Sequence, residues 1–442
     1  MGDEVLALSH LEKAGQSITT GHDEELLWNL EMITTSRANQ ANELTDRHIE
    51  RAKSIADENF GGGLIDPSSQ GIGEYVGHFH DRTMLEIYRT LRALEVKNNA
   101  RAQATLTELK FKRQEAEEIN RKRIIDIESK AREKNELKYG EFLESEEIDQ
   151  NELVKQEVAS KYREFYNPMG DYLRLLLTNR GGEQFDFGTT KENLTRTIGE
   201  KATFLEHEEK ISSTDSNSTT YVFMETGSAP YRIERKYRIP LTLFYDGTPP
   251  GGVLYVPFSL PQLNYRDDYD PSFTLSAGSI SKKMEILTDM DSVVSAEFKA
   301  KLPGEIAKAL IQTVLALASQ VAIEQATKDE QQENMGVYIF TTVAKVAAAE
   351  AFTQADDRSW YSLPKQILVQ KIPTPSDGKL SVRAGSTAET SIEVNPNIQT
   401  NIVYLKSIRR GNPIKVLSSF GFAQGLADYN YLQNLKIFAS HH

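Results

Sequence analysis

The sequence of 442 residues contains no cysteine, and this absence excludes several kinds of chemistry at once. Disulfide frameworks, zinc ribbons, iron–sulfur clusters and thiol nucleophiles all require cysteine. Basic residues are outnumbered, since 51 Lys and Arg stand against 64 Asp and Glu, for a formal net charge of −13. That balance disfavours binding to a nucleic-acid backbone and unaided docking on an anionic membrane. We therefore expect no nucleic-acid partner and no direct contact with lipid.

Long apolar segments are also missing. The most apolar stretch, residues 306–323, is interrupted by Lys308 and Gln312 and barely reaches the roughly 20 residues that span a bilayer. Mean hydropathy is −0.48, which is typical of a chain with much exposed helix surface. We therefore expect this stretch to be a buried core helix.

Helical periodicity dominates residues 1–211. Apolar side chains recur three or four positions apart in three pairs of segments, and a turn joins the members of each pair. The pairs lie within residues 26–56, 84–109 and 172–198. They predict an all-α domain of tetratricopeptide-like repeats, although the spacing of the units is irregular. Such a stack leaves a groove for a protein partner, and the candidate partner-binding residues are Trp28, Tyr88 and Tyr172.

Residues 107–165, between the second and third units, are strongly charged. Opposite charges three or four positions apart support a solvated helix. The apolar positions do not hold a heptad for long, so a long exposed helix is favoured over a coiled-coil dimer. The dimer keeps self-association open as an alternative.

The composition changes at residues 212–220, which are rich in Ser, Thr, Asp and Asn and are interpreted as a linker. Beyond it, apolar and polar residues alternate, which predicts strands in a second domain over residues 221–440. The predicted strands cover 221–225, 231–239, 253–258, two segments within 273–286, and then 366–372, 379–383, 391–394 and 401–407. The expected fold is a multidomain α+β protein, with a mostly antiparallel sheet in its second domain.

An apolar helix pair is expected to pack on this sheet. Asp289 or Asp291 can cap a short helix that precedes Pro303, and Pro303 can open the first apolar helix, because proline is tolerated in a first turn. Residues 335–352 supply the second apolar helix.

His78, His80 and Asp81 form a potential metal-binding group, because two imidazoles two positions apart can reach one ion in an extended segment. No third ligand cluster is evident in the sequence. Asp81 is better explained as the N-cap of a helix that starts at Arg82. No metal or other cofactor is therefore expected.

Three further segments have a simple structural explanation. Residues 71–77 contain glycines but lack the Lys-Ser/Thr of a phosphate loop. Residues 267–271 are acidic but lack the spacing of a calcium loop. Residues 232–238 are basic with interleaved tyrosines, and alternation explains them as the wet face of an edge strand.

The segment Asp356, Asp357, Arg358, Ser359 and Trp360 places one of only two tryptophans beside an arginine and two carboxylates. No histidine lies nearby in the sequence to support a catalytic interpretation of this segment. The favoured interpretation is a structural junction, in which Arg358 pairs with a carboxylate and Trp360 fills the boundary between helix and sheet.

Together these segments resemble a family of uncharacterised bacterial envelope lipoproteins, in which tetratricopeptide-like repeats precede a β-rich domain. The similar blocks are Glu25–Glu31, Met84–Leu94 with Ala100-Arg101-Ala102, Asn167–Leu177, Glu225–Pro230 leading to Ile239-Pro240, and Asp356–Trp360 with Leu363-Pro364. The resemblance covers most of residues 24–410, and the last block is its most specific part. It implies a periplasm-facing protein that is tethered by lipid and has no assigned activity.

This sequence departs from the family in two respects. It has no lipid-bearing cysteine, and His441-His442 is typical of a purification tag. We therefore expect a trimmed form whose N-terminal lipid anchor has been removed. The charged segment 107–165 is also longer than the usual connection.

Two functions remain open on this basis. The first is a non-enzymatic scaffold in the cell envelope that binds a protein partner through its helical repeats. The second is a module that binds or hydrolyses cell-wall glycan through carboxylates near Asp356 and Asp357, since glycoside hydrolysis needs a carboxylate on each side of the bond.

Overall fold

The computed structural model describes residues 2–18, 20–58, 73–133, 148–181, 187–199, 202–205, 218–240, 255–327, 354–385 and 389–422. Within these residues the chain combines helices with several antiparallel sheets, as the sequence predicts. None of the helices in this part of the chain combines the length and apolar character needed to cross a membrane.

The first half of the chain is helical. Its helices are α1 (Gly2–Gly15), α2 (Glu25–Ala38), α3 (Asn42–Glu58), α4 (Phe79–Glu95), α5 (Asn99–Glu133), α6 (Gln150–Leu153), α7 (Gln156–Ala159), α8 (Pro168–Gly181) and α9 (Phe187–Ile198). The three predicted helix pairs correspond to α2 with α3, α4 with α5, and α8 with α9. The charged segment begins inside α5, which has 35 residues and is about 52 Å long.

The start of α4 differs slightly from the prediction. Asp81 was expected to be the N-cap, but the helix begins at Phe79 and His78 is the cap residue. Asp81 caps the helix from its third position, where its Oδ2 atom accepts the backbone N–H of His78 at 2.9 Å. This arrangement is a capping box with an aspartate at N3. Asp81 therefore caps α4 from inside its first turn and is not the N-cap residue itself.

Strands follow in the second half. They are β1 (Thr219–Thr226), β2 (Tyr231–Pro240), β3 (Tyr255–Asn264), β4 (Phe273–Ala277), β5 (Ile280–Lys283), β6 (Glu285–Asp289), β7 (Gln366–Pro373), β8 (Lys379–Ala384), β9 (Thr390–Glu393), β10 (Thr400–Ser407) and β11 (Lys415–Phe422). Three of these strands, β4 to β6, cover residues 273–289, whereas two strands were expected within 273–286. The strand β11 is not among the predicted ones.

Five strands form a central sheet in the order β11-β10-β1-β7-β6. Its pairs are antiparallel except for β1 with β10, which run parallel in register from Thr219 beside Thr400. A four-stranded antiparallel sheet, β5-β4-β8-β9, packs on one face of the central sheet. The long hairpin of β2 and β3 forms a separate two-stranded ribbon.

The helices cover the other face of the central sheet. Leu30 of α2, Tyr88 of α4 and Tyr172 of α8 belong to the same buried cluster as Phe223 of β1 and Tyr404 of β10. The segments before and after the predicted linker at 212–220 therefore share one hydrophobic core. In addition, β1 begins at Thr219, so the last two residues of that linker are already part of a strand.

One further helix, α10 (Met290–Thr327), joins the two halves. The sequence predicted two helices with a boundary at Pro303, but Pro303 lies inside a single helix. Phe298, Leu302 and Ile306 on both sides of the proline enter the same core, and this burial outweighs the backbone hydrogen bond that proline removes. The predicted second apolar helix, 335–352, lies outside the described residues.

Candidate functional site

The segment from Asp356 to Trp360 lies where the helices meet the central sheet. Arg358 forms a two-pronged pair with Asp356, with 2.9 Å from Nε to Oδ1 and 2.9 Å from Nη2 to Oδ2. Burial alone would raise the pKa of Asp356, but the hydrogen bonds and charge of Arg358 lower it below its usual value. Both oxygens of this carboxylate are occupied, so it is poorly suited to act as a general acid. Asp357 is exposed.

Arg358 also reaches the helical half of the chain. Its Nη1 atom donates to the carbonyl of Gly73 at 2.9 Å, and its guanidinium lies 5.2 Å from the ring centre of Tyr75. Gly73 and Tyr75 belong to the extended segment that leads into α4. One side chain therefore fixes the approach to α4 against the segment before β7.

Trp360 fills the space between α2, α4 and the sheet. Its side chain is only 2% exposed. The indole packs edge-on against Tyr88 at a centroid distance of 5.9 Å, and its N–H donates to the hydroxyl of Ser362 at 3.0 Å. The neighbouring Ser359 hydroxyl accepts the backbone N–H of Arg232 at 2.9 Å, which connects the segment to β2.

A second segment that the sequence had singled out, His78 to Asp81, lies beside the first. The Nε2 atom of His78 is 3.4 Å from the carbonyl oxygen of Arg358, and the rings of His78 and His80 stack at 5.2 Å. Across from them, Glu297 of α10 accepts the backbone N–H groups of Phe79 and His80, each at 2.8 Å. Its Oε2 atom also lies 2.7 Å from Nδ1 of His80.

Glu297 thus places a negative charge at the N-terminus of α4, where the helix dipole favours an anion. Burial would raise its pKa, but Lys301 and His80 hold the pKa well below its usual range. Burial lowers the pKa of His78 well below its ordinary value. Among the described residues no group of His, Asp and Glu side chains has the arrangement of a metal site, and the sequence expectation of no metal remains a prediction.

A third buried group, which we call the Glu225 cluster, consists of Arg37, Tyr88, Glu225, Tyr404 and Lys406. The Oε1 atom of Glu225 accepts the hydroxyls of Tyr88 and Tyr404, both at 2.9 Å, and Oε2 accepts Lys406 at 3.1 Å. The Arg37 guanidinium lies 4.7 Å from the ring centre of Tyr88. Although burial raises the pKa of Glu225, the charges of Lys406 and Arg37 bring it below the ordinary value.

The candidate partner-binding residues need correction. Tyr88 is 1% exposed and Tyr172 is 0% exposed, so neither ring can contact a partner of the folded protein. Trp28 is half-buried, and its indole N–H donates to the carbonyl of Leu11 in α1 at 2.8 Å. Large aromatic residues at helical spacing are here core residues, because the helices pack on a sheet and not only on one another.

Two of the three other sequence segments touch this junction, because Gly73 accepts a hydrogen bond from Arg358 and the backbone N–H of Arg232 donates to Ser359. In the acidic segment, Asp270 accepts the backbone N–H of Gly411 at 2.9 Å and caps a turn. In the basic strand β2, Arg235 and Lys236 are exposed, as expected. Arg232 is only 4% exposed and lies over the ring of Phe298 at 5.1 Å, so the expectation of a uniformly wet face is wrong there. Of the glycine-rich segment, residues 73–77 are described.

An open groove runs along the distal half of α5. One wall is α5, with Ile124 and Ile125 among its residues, and the floor includes Ala296 and Ala300 of α10. The segment 159–164 forms the remaining wall, and the groove encloses about 1030 Å³. Ile125 is 60% exposed, so the wall of the groove presents an apolar side chain to solvent. We call this feature the α5–α10 groove.

Sequence reasoning did not identify Glu225 or Glu297 as site residues. A signal for Glu225 was present, because it follows Tyr221 and Phe223 at alternate positions and therefore belongs to the apolar face of β1. A charge on such a face needs a buried partner. No comparable signal marks Glu297, whose partners are backbone groups 217 and 218 residues away in the chain.

No protein-family model, no curated protein and no solved structure matches this chain. The geometry of the chain itself therefore carries the functional argument.

Proposed function

We propose that this protein is a non-enzymatic scaffold of the bacterial cell envelope, which binds a helical segment of a partner protein in the α5–α10 groove. The observation that carries the proposal is the groove itself, with exposed Ile125 on one wall and small alanines on its floor. The repeat-like pairing of α2 with α3 and α4 with α5 supports a tetratricopeptide-like character. The envelope location rests on the resemblance of the sequence alone.

The dimensions of the groove favour a helix as the occupant. Its volume of about 1030 Å³ accommodates about two turns of an α-helix, which is about 10 Å wide with a 5.4 Å pitch. Ala296 and Ala300 are four positions apart on one side of α10, and alanines allow a neighbouring backbone to approach closely. An amphipathic helix binds such a groove through apolar residues at positions i, i+3 and i+4.

The charges around the groove favour an occupant with both signs. The acidic residues are Glu117, Glu118 and Glu164, and the basic ones are Arg121, Arg163 and Lys299. Because neither sign dominates, a strongly basic or strongly acidic peptide gains little here, and charge mainly sets the orientation of the bound helix.

The scaffold proposal is supported by the state of the candidate catalytic carboxylates. Asp356 is held by Arg358, Glu225 by two tyrosines and a lysine, and Glu297 by backbone N–H groups. Glu225 and Glu297 each fix one part of the fold to another, and Asp356 orients Arg358, which reaches the segment before α4.

Site-specific photo-crosslinking in envelope extract tests the proposal, with a crosslinker at position 125 of the full chain. We expect one partner to be crosslinked at 125 and not at position 96, where Val96 is a comparably exposed apolar residue outside the groove. In chains without the crosslinker, Ile125→Asp should no longer capture the partner, whereas Val96→Asp should still capture it. The reason is that an apolar helix face would strip water from a charge on the groove wall.

Equal crosslinking at 125 and 96, or capture that survives Ile125→Asp, would overturn the proposal. A crosslink from position 125 to a second copy of this chain would assign the groove to self-association. That result would also exclude a different partner protein as its occupant.

A further inference from the structure

A second cavity lies next to the α5–α10 groove, on the preceding turns of α5, and shares no lining residue with it. Its lining comes from α4, α5, the loop before α8, and the first turns of α8 and α9. The cavity has a volume of about 60 Å³, which corresponds to roughly four to six water molecules. A phosphate group, with its five non-hydrogen atoms, is of this size.

The lining is basic although the protein as a whole is acidic. Lys110, Arg113 and Arg174 face one carboxylate, Asp171. The charge of Asp171 is already offset, because its Oδ1 atom accepts Arg174 and its Oδ2 atom accepts the hydroxyl of Tyr166, both at 2.9 Å. In a chain with a formal charge of −13, a cavity lined by three cations and one anion is a distinct electrostatic feature.

Two of these cations can donate a hydrogen bond to a further acceptor. Among the described residues Lys110 forms no ion pair or hydrogen bond, and the Nε atom of Arg113 makes no hydrogen bond, since Glu117 is 3.8 Å away. Burial lowers the pKa of Arg174, and the nearby charge of Arg113 lowers it further. An anion between the two guanidinium groups would relieve that repulsion.

The helix ends add to the positive potential. Thr189 and Thr190 in the first turn of α9 line the cavity, and so do Gly170 and Asp171 near the start of α8. At α8 the first N–H groups already have partners, since Met169 donates to Asn167 and Thr288, and Gly170 donates to the carbonyl of Asn167. The dipole of α9 places partial positive charge at its first turn. One helix N-terminus and three cations therefore converge on one small space.

An unsatisfied buried hydroxyl gives an independent indication of a ligand. Thr83 of α4 lines the cavity and is 3% exposed, yet its Oγ1 atom has no hydrogen-bond partner among the described residues. A buried hydroxyl that makes no hydrogen bond is costly, and native structures nearly always satisfy it. An acceptor bound in the cavity would provide the missing bond.

We propose that this cavity binds a small tetrahedral oxyanion of the phosphate type, either free or as the end of a phosphate monoester. Arg113 and Lys110 would supply charge, and Thr83 would donate one hydrogen bond. The site is separate from the α5–α10 groove, so the proposal stands or falls independently of the partner protein.

Thermal unfolding of the full chain in inorganic phosphate, glycerol phosphate, acetate or chloride at matched ionic strength tests the proposal. We expect a saturable rise in Tm with phosphate and no comparable rise with acetate or chloride, because a ligand that binds only the folded state stabilises it. A similar rise with glycerol phosphate would assign the site to a monoester, and a rise with inorganic phosphate alone would assign it to the free ion.

Two variants locate the binding. Arg113→Gln should weaken phosphate binding by about tenfold or more, as expected for the loss of a charge-assisted hydrogen bond. The control Arg121→Gln carries the same change about two turns further along α5 and should bind as the original chain does. Thr83→Val should also weaken binding while leaving Tm without phosphate unchanged or higher, since it removes an unsatisfied hydroxyl.

Thr90→Val is the matched control on α4, since Thr90 is also buried but bonds its own helix at 2.9 Å. The proposal fails if phosphate gives no saturable stabilisation of the original chain. It also fails if Arg113→Gln and Thr83→Val bind phosphate as tightly as their controls, because the anion would then bind elsewhere.

Discussion

The two faces of the central sheet differ although the same strands build both. Towards the second sheet, β1, β7 and β10 present Val222, Met224, Leu368, Ile372, Val403 and Leu405, with the buried, uncharged Gln370 between Leu368 and Ile372. Towards the helices, β1 and β10 present Tyr221, Phe223 and Tyr404 together with the charges Glu225 and Lys406. Alternation along a strand thus separates a mainly apolar interface from one with a buried ion pair.

The difference indicates how each layer is positioned. An apolar interface tolerates changes of side chain as long as the volume is kept. The Glu225 cluster requires α2 and α4 to bring Arg37 and Tyr88 to defined points above the sheet, since an unpaired buried charge is strongly destabilising. We therefore regard the helix face as the more specific of the two, and the following experiments test that comparison.

Glu225→Ala should have the largest effect on the free energy of unfolding. It leaves Lys406 buried without its partner and removes the acceptor for two tyrosine hydroxyls, for a loss of about 4 kcal/mol. Chemical denaturation measures this loss. Glu225→Gln combined with Lys406→Met should recover part of the stability, because no charge then remains unpaired.

Leu405→Ala is the matched change on the apolar face and should cost about 3 kcal/mol through the cavity that it creates.

The two faces also differ in pH dependence. The pKa of Glu225 is lowered in the folded state, so its stabilisation is present above about pH 4.5 and is lost as the pH falls further. Acid sensitivity should therefore decrease in Glu225→Gln and remain in Leu405→Ala; the reverse pattern would contradict the comparison.

Trp360→Ala should reduce the free energy of unfolding by about 3 kcal/mol, because the indole is 2% exposed and joins α2 and α4 to the sheet. Tyr361→Ala is a suitable control, since Tyr361 is adjacent in sequence but 46% exposed. Normal stability of Trp360→Ala together with loss of the crosslinked partner would show that the residue recognises a partner and is not a structural junction.

His48 should give the smallest of these effects, confined to a different pH range. Burial, and then the charge of Arg47, lowers its pKa to about 4, and its ring lies 5.0 Å from that of Trp28. The unfolded chain binds a proton near pH 6.5 and the folded chain does not, so stability falls by about 2 kcal/mol between pH 6.5 and 4. His48→Gln should remove this slope, and a slope that persists in the variant would exclude His48 as its source.

Local patterns in the sequence predicted much of this fold. The helix pairs were predicted from apolar spacing, and most strands from alternation, because both signals lie within a few residues. The sequence also drew attention to His78–Asp81 and to Asp356–Trp360. It did not indicate that these two segments, about 280 residues apart, pack together at one junction, with His78 near the carbonyl of Arg358.

The errors share one physical cause, which is tertiary packing that overrides a local signal. Pro303 usually marks a helix start, but burial on both sides of it keeps α10 continuous. Tyr88 and Tyr172 were considered surface residues because a stack of helix pairs leaves one face exposed. In the structure that face is covered by the central sheet, which the sequence had assigned to a separate domain.

The parallel pairing of β1 with β10 has a consequence for biosynthesis. Thr219 lies beside Thr400, so β1 cannot complete its hydrogen bonds until the much later strand β10 has left the ribosome. Until then β1 has one open edge, and such edges recruit other strands during slow, non-local folding. Shortened versions that end before Thr400 should therefore aggregate, and the nascent protein should depend on chaperones for longer than its helical first half suggests.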